Sequence, residues 1–179
     1  MNDTTTVDAY GVLTDPTTLT IQRLLPGPIE RVWSYLTDSD LRRQWFAAGK
    51  MEMKVGAPFE LVWRNDELSA KPSKQPRPAD KGEESRMQST ITELNPPHKL
   101  AFTFGDYGNV SMELETKGAK VLLTLIHRRI PNRSVLLGVS SGWHMHLDVL
   151  VASLNGEKAE PFWDGWRRLK DEYDQRLPA

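Results

Sequence analysis

Between residues 58 and 128 apolar side chains recur at every second position, and beyond Pro131 they recur at every third or fourth. This change of period limits the fold more than any other feature. Alternation makes one-sided strands, whereas the longer spacing makes a helix with an apolar stripe. PFELVWRN sets Phe59, Leu61 and Trp63 on one face, and RMQSTITEL, which begins at Arg86 and Met87, follows with a second strand signal. HKLAFTFG groups Leu100, Phe102 and Phe104; NVSMELET groups Val110, Met112 and Leu114; KVLLTLIHR groups Val121, Leu123, Leu125 and His127. The turns at Asn95-Pro96-Pro97 and Lys117-Gly118 are short, so these strands form hairpins and run antiparallel. Between Ser134 and Leu154, Trp143, Leu147, Leu150, Val151 and Leu154 keep helical spacing up to Gly156. A last helix opens at Pro161 and carries Phe162, Trp166, Leu169 and Tyr173.

The N-terminal part adds one more strand, TLTIQRLL at 18–25, which Pro26-Gly27-Pro28 ends. In PIERVWSYLTD, Ile29, Val32, Trp33 and Leu36 mark one face of an amphipathic helix. Asp38 or Ser39 suits the N-cap of a second, shorter helix, DLRRQWF, closed by Gly49. KMEMKV, ending at Gly56, alternates and predicts a strand of its own. Residues 1–16 are polar and Thr-rich and read as a flexible N-terminal segment, leaving 17–179 as a single domain. Within it, residues 66–85 hold three prolines and one large apolar side chain, Leu68, and read as an exposed Pro-rich insert. The order is strand, two short helices, about six strands and a long helix, an α+β arrangement. Sequential antiparallel strands curl, and one helix spans their concave face without filling it, so an internal cavity is expected.

Lys and Arg total 23 against 24 Asp and Glu, so no basic excess draws the chain to nucleic acid or anionic lipid. The absence of cysteine excludes disulfides, thiol nucleophiles and cysteine metal sites. The longest uninterrupted apolar runs are far shorter than the roughly 20 residues of a membrane helix, and MNDTTTVDAYG has no leader-like apolar core. A cytoplasmic protein without membrane insertion is expected.

The run PIERVWSYLTDSDLRRQWF resembles the P-x-E-x-V-W-x-x-L-T-D signature, followed by W-F, of START-like helix-grip (SRPBCC) proteins. VGAPFELVW, ITELNPPHKLAFTF and SSGWHMHLDVLVASLNGE then match, in order, elements of the branch named for the heat-shock-protein-90 ATPase activator homologue. The resemblance covers about residues 18–177. It implies a curved antiparallel sheet wrapped around a long C-terminal helix, with a hydrophobic cavity and often a homodimer. It implies no single activity, because relatives include lipid carriers, aromatase/cyclases and a chaperone partner.

Binding of a small hydrophobic or amphipathic molecule is the function these residues favour. A cyclase/aromatase-type enzyme using the same cavity and a chaperone-ATPase-stimulating role are the alternatives. The residues expected to line the cavity are Trp33, Trp45, Phe59, Leu61, Trp63, Met87, Leu100, Phe102, Phe104, Met112, Leu125, His127, Trp143, His144, Leu147 and Val151. No catalytic set, cofactor motif or metal site stands out. His144 and His146 point about 200° apart on a helix, so they do not share an ion. The expectation puts His144 towards the cavity and His146 at its flank, with Asp148 one turn beyond His144. His127 has two readings, a ligand-contacting base or a satisfied rim histidine beside Arg128 and Arg129, and the second is favoured. Arg23 alternates inward with Leu19, Ile21 and Leu25, to meet a ligand carboxylate or, more simply, a salt-bridge partner. Trp163 or Trp166 on the terminal helix is the candidate dimer contact.

Overall fold

Alternation that buries one face and a helix that needs a partner have one economical solution, a sheet folded over a helix. The computed structural model describes residues 7–69, 71–74, 77–78 and 82–178, and it has this form. Seven strands make one antiparallel sheet: β1 (Val12–Asp15), β2 (Thr18–Pro26), β3 (Pro58–Trp63), β4 (Ser85–Asn95), β5 (Lys99–Thr103), β6 (Asn109–Lys117) and β7 (Lys120–Arg128). Their spatial order is β1-β2-β7-β6-β5-β4-β3. Helices α1 (Ile29–Thr37) and α2 (Ser39–Arg42) lie between β2 and β3, and α3 (Arg133–Leu154) and α4 (Phe162–Arg176) follow the sheet.

The inward alternation fixes the central register. Leu19 pairs with His127, Ile21 with Leu125 and Leu25 with Val121, and all six side chains are buried. β4 pairs with β3 through Ser85–Thr90 and with β5 from Ile91 onward, and a bulge between Ile91 and Glu93 marks the transfer. Such a bulge bends the strand and increases local twist, which curves the sheet over α3. α3 has the length and composition of a membrane-crossing helix, more than the short apolar runs suggested, but it is mostly buried against β2 and α4.

Three expectations need correction. The segment 50–55 is not a strand, so five strands rather than six run consecutively from β3 to β7. Only Ala48 pairs with β3, exchanging hydrogen bonds with Val62 at 2.9 and 3.0 Å. Gly49 then adopts φ +133°, where a Cβ would stand 1.8 Å from the Glu60 carbonyl, and the chain swings off the sheet edge. Met53 and Val55 alternate into solvent. Secondly, the N-terminal segment is tied down over its described part: β1 pairs with β2, and the Gly11 N–H donates to Tyr173 Oη at 2.8 Å. Residues 1–6 lie outside the described residues.

Thirdly, part of the insert at 66–85 is docked rather than free, as its described residues Asp66, Leu68, Ser69 and Ser73 show. Pro161 precedes α4 and offers no side-chain cap, so the first N–H groups of that helix need acceptors from elsewhere. Ser69 Oγ accepts from Phe162 N and Ser73 Oγ from Trp163 N, both at 3.1 Å, while Asp66 accepts from Trp163 Nε1 at 2.9 Å. Leu68 is buried beneath them. Replacing both serines by alanine is expected to cost about 1–2 kcal/mol, as loss of helix caps does. Urea unfolding with an unchanged slope and a lower midpoint measures it.

Candidate functional site

Most of the side chains expected to line a cavity instead fill the core. Trp45, Phe59, Leu61, Leu100, Phe102, Met112, Leu125 and Leu147 are buried and packed against one another. Trp33 on α1 and Val151 on α3 are half-buried and pack on the outside of that core. The reason is volume. Large side chains come from both the concave sheet and α3, so they interdigitate at native density.

The open space lies to one side, as a groove of about 1150 Å³ between α3, α4 and the ends of β4 and β5. Trp63, Met87, Phe104 and Trp143 are the expected residues that line it, joined by Phe46, Phe162, Trp163 and Trp166. Its α3 face carries Val135, Gly138, Val139, Gly142, Trp143 and His146. A Cβ at Gly138 or Gly142 would meet nothing within 4 Å. Each glycine costs a helix interior roughly 0.5–1 kcal/mol relative to alanine, and in return the backbone itself becomes part of the groove wall. These glycines, in helical register with Val135 and Val139, were the available sequence signal for the groove.

The aromatic wall is continuous. Phe46 stacks on Trp143 at 4.8 Å between ring centroids and meets Trp63 edge-on at 5.3 Å. Trp63 meets Phe104 at 5.9 Å, and Phe162 lies 4.8 Å from His146. Charged side chains of both signs, including Glu83, Asp164, Arg168, Lys170 and Asp171, border the mouth. Trp163 is buried and so is not an exposed dimer contact, while Trp166 is half-buried under the Lys170 ammonium at 5.2 Å.

The histidines resolve into three environments. His127 is sealed: Nε2 donates to the Tyr107 carbonyl at 2.6 Å and Nδ1 accepts from Trp143 Nε1 at 3.0 Å. It is satisfied, as favoured, but in the core rather than at the rim. His144 faces away from the groove, contrary to expectation, towards Tyr10, Tyr173 and Asp148. The Asp148 carboxylate, an acceptor, lies 3.5 Å from His144 Nε2 and places the ring proton there, so Nδ1 accepts from Tyr173 Oη at 2.8 Å while Oη itself accepts from Gly11 N. Asp148 also holds Arg23 at 3.0 Å, the salt-bridge reading of that arginine. This relay resembles acid–base machinery, yet Tyr173 and His144 are enclosed by the core, and burial pushes the Tyr173 phenol up to about 12.

His146 is the imidazole on the groove, because the half-turn between it and His144 is taken the other way round. Nδ1 lies 2.9 Å from the Trp45 carbonyl, and burial lowers its pKa to about 4. Among the described residues no carboxylate pairs with it, and no group of three or more His, Cys, Asp or Glu side chains is placed to hold a metal ion.

The sequence matches the family described as activator of Hsp90 ATPase homolog 1-like protein over residues 26–155. The chain belongs to that family. A Bordetella parapertussis protein, solved in solution by NMR, is 35% identical, covers 100% of this chain with 97% of its own length, and superposes with a TM-score of 0.80. CalU16 from Micromonospora echinospora is 20% identical over 88% of this chain and 86% of its own, with a TM-score of 0.63. DynU16, from the dynemicin biosynthetic locus, is 19% identical over 80% of this chain and 49% of its own, with a TM-score of 0.61. No curated protein sequence matches the chain significantly. The family and the seven-stranded curved sheet closed on a helix together make this a helix-grip protein of the SRPBCC superfamily, as the sequence motifs implied.

Proposed function

We propose that this protein is a cytoplasmic binding protein for a small hydrophobic or amphipathic molecule, held in the groove between α3 and α4. The observation that carries the reading is the pair of bare backbone positions, Gly138 and Gly142, facing a wall of aromatic rings. A flat apolar molecule can lie against both surfaces, and the mixed charges at the mouth suit a polar end. The fold family is known for binding small hydrophobic ligands, which agrees with it. Binding is favoured over a cyclase reaction because the Tyr173–His144–Asp148 relay opens away from the groove, and His146 has no carboxylate behind it.

The test fills the groove from the helix side. Gly142→Leu is expected to weaken binding of the dye 1-anilinonaphthalene-8-sulfonate at least tenfold. The same change keeps or raises thermal stability, since leucine is the better helix former. Equal dye binding by Gly142→Leu and the parent would place the site elsewhere.

A further inference from the structure

His146 is the polar side chain set deepest in the groove, with 6% of its surface exposed. Its two nitrogens are not equivalent. Nδ1 faces the Trp45 carbonyl, which only accepts, so Nδ1 carries the ring proton. In a neutral imidazole the other nitrogen then holds a lone pair. His146 lines the groove and its Nδ1 is taken by the Trp45 carbonyl, so Nε2 is the ring nitrogen left to meet a groove ligand. Around it stand Phe46, Trp143 and Phe162, which offer no donor in its direction: the Trp143 Nε1–H is committed to His127 Nδ1.

We infer that His146 Nε2 sets the ligand specificity of the groove, selecting flat aromatic molecules that present a hydroxyl or ring N–H over isosteres that present only an acceptor. The inference rests on the groove-binding reading and names the chemistry the groove prefers. An acceptor enclosed by rings discriminates strongly, because a ligand oxygen placed against it leaves two lone pairs facing each other, both stripped of water. A donor in that place replaces the water that a free imidazole nitrogen would hold.

The tautomer is locked by the same contacts that position the ring. Trp45 and Phe46 lie in the loop after α2, so the carbonyl that fixes the proton and the ring that flanks it come from one segment. The neutral state holds well below neutral pH, since burial lowers the pKa to about 4. Selection therefore does not change between pH 6 and 8.

Carbazole and dibenzofuran form a matched pair of probes, with the same outline and with N–H in one where the other has oxygen. The parent protein is expected to bind carbazole about tenfold more tightly at pH 7.5, followed by quenching of tryptophan fluorescence. His146→Phe keeps the ring and removes the acceptor, so the ratio falls to about one while dibenzofuran affinity is retained. Nitrogen-15 NMR of the parent's histidines supplies a readout free of any substitution: the Nε2 resonance of His146 moves with carbazole and not with dibenzofuran. His127 Nε2, already donating to Tyr107, serves as the internal control. Equal affinities with an unmoved Nε2 overturn the inference and leave the groove reading standing, as does a tenfold preference that survives in His146→Phe. Failure of both probes to bind the folded parent overturns the groove reading as well.

Discussion

Arg42→Ala is expected to cost about 3–5 kcal/mol of folding stability, because it strips several buried carbonyls of one shared donor. Arg42 is 2% exposed, and its guanidinium is spread over four backbone acceptors. Nε donates to Ala47 O at 3.0 Å, Nη1 to Leu36 O at 3.3 Å and Thr37 O at 3.4 Å, and Nη2 to Gly49 O. Only arginine has the planar fork to reach them together. Burial lowers its pKa to about 10, with the Asp38 carboxylate pulling the other way, so the group stays charged at neutral pH. What it secures is the path of residues 43–49, the segment carrying Trp45 and Phe46. Loss of Arg42 therefore reaches the groove as well, through the Trp45 carbonyl that orients His146. Urea denaturation measures the first effect, expected as a lower midpoint with little change in slope. Arg42→Lys falls between the two, since an ammonium serves fewer of the four carbonyls. A loss below about 1 kcal/mol in Arg42→Ala would show that water replaces the guanidinium without penalty.

The parts of this fold that were legible in the sequence are those governed by period. Leu19, Ile21, Arg23 and Leu25 alternate inward as written, and β7 meets them with Val121, Leu123, Leu125 and His127. Period carries no information about azimuth or partnership. KMEMKV alternates as well as any strand here, but the turn at Gly49 removes it from the sheet edge, and a lone alternating segment has nothing to pair with. His144 and His146 differ by a known angle, and which of them faces the groove depends on how α4 packs against α3, a long-range contact. The insert looked exposed because its composition is polar. Its polar residues have specific partners: Ser69 and Ser73 cap a helix that begins after a proline, and Asp66 accepts from the Trp163 indole. Aromatic content was a poor guide to the groove, since rings fill cores as readily as they line sites. The glycines of α3 were the better guide, because a helix interior gains nothing from them unless space is needed.

Acidification is expected to destabilise the protein steeply between pH 6.5 and about pH 4.5, before most carboxylates titrate. His144 is held neutral by burial and by the positive charges of Arg23, Arg168 and Arg176, against Asp8 and the Asp148 carboxylate 3.5 Å from Nε2, and its pKa falls to about 3. His146 falls to about 4 through burial among Trp45, Phe46, Trp143 and Phe162, against the hydrogen bond to Trp45 O. His127 is lowered as well, by burial, against its hydrogen bond to Tyr107. The sign follows from these directions. An unfolded histidine binds its proton near pH 6.5, whereas His144 and His146 remain neutral well below that and His127 shifts in the same direction. The unfolded state therefore binds more protons throughout the window, and stability rises with pH and is lost as pH falls. Each of the two strongly shifted rings contributes about 2–3 kcal/mol of loss by pH 4.5. Asp148 works in the opposite sense, because burial raises its pKa despite Arg23, and so the folded state takes up its proton first. Urea unfolding at half-unit steps from pH 7.5 to 4.5 measures the slope, expected to reach about two protons per molecule near pH 5. The His146→Phe protein is expected to lose close to one proton from that slope, whatever its stability at neutral pH. A flat profile from pH 7 to 5 would mean that these imidazoles reach solvent in the folded state, and the groove would then have no locked acceptor at its floor.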